Sequence, residues 1–427
     1  MKTLIQPVKG TRDFYPDEMA IRGWLYQQIR KVSEAFGYQE YEGPFLEKID
    51  LYAAKSGEEL VKEQSYVFPD RGGDLITLRP ELTPSLARMV AQRQNELALP
   101  LRWWSFGPFW RYEKPQKGRT REFFQWNIDL IGANSPEGDA ELVAISAEFF
   151  RQIGLGPDQV AIFVNNRRLM DGEMQGLSVP LEKKGEIFRL IDRRDKMPPE
   201  AWEAASHEAG LDRDQFNRLV GLLEDREAWK RSDEMVRFFT AIDALGVRDY
   251  VRFDPGVIRG LQYYTGTVFE AYEITGQGRA VFGGGRYDNL VGDVGGDPVS
   301  GVGFAMGDVM LTILLRDHGI LPSLSTNPAP VLVTVFDESR LAGAFRLAAA
   351  LRKAGINAAC YPEAARLQKQ LKYADRAGFR FVVLAGPDED AAGTVTIRDL
   401  GNRTQSTVQT GEVVQSLRER LAQAAPV

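Results

Sequence analysis

Cysteine and histidine are nearly absent from this chain of 427 residues, which has one of the first and two of the second. A single thiol, Cys360, closes no internal disulfide. With only His207 and His318 beside it there is no Cys/His zinc cluster either, which leaves a carboxylate-held Mg²⁺ open. Long apolar runs are also missing. No stretch approaches the roughly 18 uninterrupted apolar residues of a membrane span, and Met1 to Gly10 lacks a signal peptide's apolar segment. A soluble, cytoplasmic protein with no membrane partner is the expectation. Rossmann and P-loop spacings are absent as well, because the glycine stretches Phe282-Gly-Gly-Gly-Arg-Tyr-Asp-Asn-Leu290 and Gly301-Val-Gly-Phe-Ala-Met-Gly307 follow neither pattern. What is present is an ordinary globular composition, 44% hydrophobic and 10% aromatic, long enough for two or three domains. The net charge of −6 does not mark a dedicated nucleic-acid binder, and no DNA partner is expected. Its distribution is uneven, however. Residues 330–427 carry 13 Lys and Arg against 10 Asp and Glu, or +3, which leaves −9 for the rest and makes the C-terminal part the better surface for RNA.

The stretch Arg111 to Gly132 organises the chain. Leu101 to Tyr112 is aromatic and strand-like, Glu122 to Ile131 alternates with period 2, and a basic loop bearing Pro115 and Gly118 joins them, so the pattern predicts an antiparallel hairpin. Successive strand side chains point to opposite faces. Arg119, Arg121, Phe123, Gln125, Asn127 and Asp129 therefore share one parity, and Phe124, Trp126, Ile128 and Leu130 the other. Arg111 and Glu113 share a parity across the loop. The hairpin can offer Arg111, Arg119 and Arg121 as a cationic fork beside Glu113, Gln125 and Asp129, a face suited to an anionic, planar ligand such as a nucleotide. The alternative reading from composition and alternation is a solvated outer face with surface ion pairs.

Elsewhere the pattern alternates helix and strand. Ile21, Trp24, Leu25, Ile29, Val32 and Phe36 recur at helical spacing from Pro16 to Phe36, with Gly37 placed to end the helix, and Tyr38 to Glu47 reads as a strand interrupted at Pro44. Leu75 to Ser85 runs from a short strand through a turn into a helix. Glu81 and Thr83 stand at that turn, where Glu81 also suits a helix N-terminus. Pro136 to Ile153 is helical, Val160 to Val164 a strand, and about 167–246 a charged helical insertion. A Pro- and Ser-rich linker, Leu321 to Pro330, separates residues 1–325 from a smaller α/β unit, 326–427.

Arg111-Tyr-Glu followed by Lys-Pro-Gln-Lys-Gly-Arg-Thr-Arg-Glu-Phe-Phe-Gln125 resembles motif 2 of class II aminoacyl-tRNA synthetases, in the form carried by histidyl-tRNA synthetases. Arg259-Gly-Leu-Gln-Tyr-Tyr-Thr-Gly-Thr-Val-Phe-Glu270 resembles the histidine-specific signature of the same family, Pro16 to Glu47 its motif 1, and Arg366 to Gly378 its anticodon-binding domain. The resemblance implies an α/β (α+β) fold: an antiparallel sheet flanked by helices, a helical insertion near the tRNA acceptor stem and a C-terminal anticodon-binding domain. It implies ATP and Mg²⁺, histidine and tRNA(His) as ligands, and a homodimer through motif 1. Arg111 would meet the α-phosphate, Glu113 the adenine amine, and Arg119 and Arg121 the outer phosphates. Glu81, Thr83 and Gln125 would hold the histidine amino group, and Asp129, Tyr263 and Tyr264 its imidazole. Tyr287 and Arg286 would lie close to the pocket, with Arg259 the catalytic cation stabilising charge as carboxylate displaces pyrophosphate.

One motif departs from pattern. Motif 3 of the family continues Gly-x-Glu-Arg, whereas this chain reads Gly307-Asp-Val-Met310. Met310 stands where an arginine usually stacks on adenine; it can pack on a flat base through its polarizable sulfur but cannot hold a phosphate. Two other readings stay open on that account: a non-catalytic, histidine-sensing regulatory subunit of ATP phosphoribosyltransferase, and a paralogue that binds uncharged tRNA.

Overall fold

The computed structural model describes residues 4–53, 60–180, 183–194, 197–258, 263–274 and 280–423. It divides into two compact units, Met1–Asp13 with Trp24–Leu321, and Phe14–Gly23 with Pro322–Val427. The strands of the first are β1 (Gln39–Glu40), β2 (Leu46–Lys48), β3 (Tyr66–Pro69), β4 (Leu75–Leu78), β5 (Leu101–Trp110), β6 (Glu122–Ile131), β7 (Val160–Asn166), β8 (Val251–Phe253), β9 (Thr267–Glu273), β10 (Phe282–Tyr287) and β11 (Gly301–Gly307). An eight-stranded sheet has the order β1-β5-β6-β11-β10-β9-β7-β8, antiparallel through its middle and parallel at both edges, where β1 joins β5 and β8 joins β7. A three-stranded sheet has the order β2-β4-β3.

The helix Pro16–Ala35 begins on Pro16 with Asp17 and Glu18 in its first turn, buries Leu25, Ile29 and Val32, and is followed by Gly37 at φ +80°. Pro44 leaves two separate strands, β1 and β2, where one interrupted strand was expected. The helix Pro136–Gln152 starts on Ser135, whose hydroxyl accepts from the Gly138 amide over 3.2 Å. It covers the apolar face of the large sheet, bringing Phe149 within 5.0 Å of Trp126, centroid to centroid. Trp126, Ile128 and Leu130 on that face are at most 1% exposed. Between 167 and 246 the described residues form the helices Arg167–Gly176, Lys184–Asp192, Pro199–Glu208, Arg213–Glu224 and Asp233–Ala244, with turns between them. No helix among the described residues is long and apolar enough to cross a membrane.

The second unit carries β12 (Val331–Val333), β13 (Ala358–Cys360), β14 (Phe381–Leu384), β15 (Thr394–Asp399) and β16 (Thr404–Gln409) in the order β13-β12-β14-β15-β16. The helices Leu341–Lys353, Leu367–Arg376, Pro387–Ala392 and Val413–Gln423 accompany them, around a core that includes Val331, Val333, Leu351, Val383, Ile397 and Leu417.

Candidate active site

Register decides which side chains meet. Asp129 lies opposite Gly303, which lies opposite Gly285, and Gln125 lies opposite Gly307, so Gln125, Asn127, Asp129, Gly301, Gly303, Ala305, Gly307, Gly283, Gly285 and Tyr287 share one face. That face is nearly bare across two strands. The missing side chains are needed: a β-carbon on Gly303 would overlap Asp129 Oδ1 and lie 2.8 Å from the Ile128 carbonyl, and one on Gly285 would lie 2.8 Å from the Tyr264 ring. A shallow floor results, with one carboxylate buried in it.

Asp129 accepts from the Tyr287 hydroxyl over 2.7 Å. Burial pushes its carboxyl up to about 7, against the smaller opposing effect of that hydrogen bond. Burial, then the nearby Asp129 charge, holds the Tyr287 phenol well above its ordinary range. Tyr263 stacks at a tilt on Tyr264, centroids 4.8 Å apart, and meets the Tyr287 ring edge-on at 6.3 Å. The strand that follows this aromatic pair begins only at Thr267. Tyr263 and Tyr264 belong to the approach to it, where their rings are not bound to alternate faces. Arg259 lies outside the described residues.

At the other end of the face, the Arg111 amide donates to the Arg121 carbonyl over 2.9 Å, extending the β5–β6 ladder past Trp110. Arg111 Nε donates to the Pro80 carbonyl, also over 2.9 Å, and its guanidinium sits 5.4 Å from the Phe123 ring centroid. The bond to Pro80 holds the turn bearing Glu81 and Thr83 against the end of β5. Glu81 is buried, and Thr83 is the first residue of the helix Thr83–Arg93. Arg119 forms an ion pair with Glu113 at 3.1 Å, out of line for a hydrogen bond, so the buried Glu113 Oε2 has no donor among the described residues. Arg121 is occupied differently. Its Nε donates to the Glu113 carbonyl over 3.1 Å, and its guanidinium lies 4.0 Å over the Tyr112 ring. Met310 stands in the first turn of the helix Asp308–Asp317, against Gly118 of the loop.

The structure thus brings Gln125, Asp129 and Tyr287 onto one face, with Arg111 and Arg121 continuing the same parity. Arg286 it does not bring there. Neighbouring strand residues alternate, so Arg286 points to the opposite face from Tyr287, where its guanidinium donates to Asp139 over 2.6 and 2.9 Å and to the Ala133 and Ser135 carbonyls. It braces the helix Pro136–Gln152 on the sheet.

Two residues escaped sequence reasoning. Arg79, 0% exposed, pairs with Glu42, donates to the Gly43 and Pro108 carbonyls over 3.1 and 2.9 Å, and lies over the Phe45 and Phe109 rings. The only signal was an arginine directly before Pro80. Tyr41 packs on Trp103 with centroids 5.4 Å apart, and its buried hydroxyl has no partner among the described residues. It shares a parity with Gln39, which pairs with Trp103, and continuing the β1 alternation past Glu40 would have found it.

A broad antiparallel sheet carries, along one hairpin, arginines at one end of a glycine floor and a buried carboxylate at the other, an arrangement suited to an anionic ligand beside a small polar one. Such a fold and site define an aminoacyl-tRNA synthetase. A family model described as histidyl-tRNA synthetase matches residues 10–308, and one described as anticodon binding domain matches 330–420. The chain is 35% identical over 438 aligned residues to a histidine–tRNA ligase of Leptospira biflexa, covering 99% of each. It is also 35% identical to a chloroplastic/mitochondrial histidine–tRNA ligase of Arabidopsis thaliana, over 96% of this chain and 86% of that one. A crystal structure of histidyl-tRNA synthetase from Nostoc sp. PCC 7120 superposes with a TM-score of 0.84 at 26% identity, covering 98% of this chain and 100% of that one. The chain belongs to the histidyl-tRNA synthetase family.

Proposed function

We propose that this chain is an aminoacyl-tRNA ligase that joins histidine to tRNA(His) in two steps, with residues 1–325 as a class II catalytic domain and 326–427 binding the anticodon. The histidine carboxylate attacks the α-phosphorus of ATP and expels pyrophosphate; a hydroxyl of the terminal adenosine of the tRNA then attacks the activated carbonyl and expels AMP. Neither step needs a nucleophilic side chain, so positioning and fixed charge supply the rate. Arg111 and Arg259 offset the charge that develops at the α-phosphate, Arg119 takes the outer phosphates, and Glu113 accepts from the adenine amine. Glu81, Thr83 and Gln125 hold the amino group. Asp129 and Tyr264 take the two imidazole nitrogens, and Tyr287 orients Asp129. Among the described residues no three His, Cys, Asp or Glu side chains converge on a point where they could hold a metal ion. Mg²⁺ therefore fits best as an ion that arrives on the triphosphate, whose own oxygens ligate it.

The observation that carries this reading is the shared face, because Arg111 and Asp129 project from one strand pair to the same side of a glycine floor. Relatives named as ligases that align end to end, C-terminal domain included, favour it over the regulatory subunit. A cytoplasmic homodimer completes the proposal. Phe45, Leu46, Phe68 and Leu75, on and beside the small sheet, are each more than 40% exposed, as a surface that meets a second copy would be. Light scattering on the purified chain tests the dimer. Exchange of pyrophosphate into ATP, with each amino acid supplied in turn, tests the activity: exchange with histidine alone is expected. Histidine binding without exchange would replace this reading by the regulatory one.

A further inference from the structure

Met310 and Gly118 meet where the hairpin loop lies along the helix Asp308–Asp317. Gly118 has φ +79°, and a β-carbon there would overlap Met310 Sδ and lie 3.2 Å from its Cγ, so only glycine lets the loop rest on the thioether. The loop is closed by reciprocal backbone bonds between Gln116 and Arg119, of 3.2 and 2.8 Å. Two turns further along, Lys117 lies 3.8 Å from Asp317 at the end of the same helix. The helix is itself fixed to the sheet, since Asp308 accepts from the Phe124 amide over 2.8 Å and from Arg12 over 2.9 Å. A continuous set of contacts therefore runs from the start of β6 through Asp308 and Met310 to Gly118, one residue short of Arg119.

We infer that Met310 is a positioning residue of the nucleotide site, the seat on which residues 114–120 rest, and that it thereby sets where Arg119 and Glu113 stand before the triphosphate arrives. The inference rests on the adenylate-forming role proposed for that loop. A flexible, neutral thioether meets the bare backbone of Gly118 by dispersion alone. In the ligand-free chain Arg119 is paired with Glu113, so the triphosphate has only to draw Arg119 across, which frees the Glu113 carboxylate for the base.

The test compares the full-length chain with Met310→Ala and Met310→Leu by hydrogen–deuterium exchange without nucleotide and by histidine-dependent pyrophosphate exchange. Met310→Ala should speed amide exchange in 116–121 by roughly tenfold and raise KM for ATP by a similar factor with KM for histidine unmoved. Met310→Leu, which keeps an apolar seat, should restore both. Unchanged exchange in Met310→Ala overturns the inference, and so does an equal rise in both KM values, which would report general damage. If the wild-type chain performs no pyrophosphate exchange, the functional reading falls instead, and the loop amides with a direct ATP titration still decide the role of Met310.

Discussion

The Tyr287 hydroxyl and the Asp129 carboxylate meet over 2.7 Å in the floor of the site, 3% and 4% exposed, and among the described residues no cation pairs with that carboxylate. Burial dominates, so the folded chain holds the Asp129 proton up to a pH of about 7. An unfolded aspartate releases its proton near pH ~3.9. Between those values the folded state binds more protons than the unfolded one. The contribution to stability is thus fully present below about 3.9 and lost as pH rises through about 7, by up to roughly 4 kcal/mol. Urea denaturation should therefore show Asp129→Asn gaining on the wild type as pH rises across this interval. A difference that stays constant with pH would rule out the raised titration.

Gly303 is where the floor tolerates least. An added methyl group would overlap Asp129 Oδ1 and crowd the Ile128 carbonyl, pushing the carboxylate off its hydrogen bond with Tyr287. Gly303→Ala should weaken histidine binding by about 100-fold and leave ATP binding within a few fold, because the change is confined to the pocket that discriminates the side chain. Calorimetry with each ligand separates the two. Equal losses for both would place the damage in the whole sheet.

Much of this site was legible before any coordinates, because period 2 in the hairpin puts Gln125 and Asp129 on one face wherever the strand goes. The glycines were harder. Gly301, Gly303 and Gly285 are weak signals by themselves, and only the resemblance implied that they floor the pocket; register lines them up across β10 and β11. Arg286 shows the opposite failure, in that the resemblance put it with Tyr287 close to the pocket although adjacent strand residues must part. Strand alternation alone would have corrected that. Arg121 could not have been sorted from Arg119 by any pattern, since what distinguishes them is the Tyr112 ring and the Glu113 carbonyl, contacts made only once the loop has folded.

The Arg286–Asp139 pair makes a stability prediction. Both side chains are 3% exposed, and the guanidinium has four hydrogen bonds on the helix Pro136–Gln152 and the turn before it. Asp139→Ala leaves a buried cation without its counter-charge and should cost about 3–5 kcal/mol. The double variant Asp139→Leu with Arg286→Met, which removes both charges and keeps the volume, should recover most of it. Denaturant midpoints of the single and double variants check the coupling; additive losses would mean that the pair does not act as a unit.

Arg119 and Arg121 should part in the same way experimentally. Arg121 is a brace: it lies over Tyr112, donates to the Glu113 carbonyl, and fills the space beside Gly10, whose carbonyl accepts from the Arg121 amide over 2.8 Å. Arg119 is half exposed and, among the described residues, pairs with the Glu113 carboxylate alone. A hydrogen bond to a charged group contributes about 1.5–3 kcal/mol, so Arg119→Ala should raise KM for ATP by roughly 10- to 150-fold with an unchanged melting temperature. Arg121→Ala should instead lower the melting temperature, and its effect on ATP should shrink in Arg121→Leu, which keeps packing on Tyr112. Should Arg121→Leu lose ATP affinity as fully as Arg119→Ala while melting normally, both arginines would be phosphate ligands, and the contact with Tyr112 would describe only the resting loop.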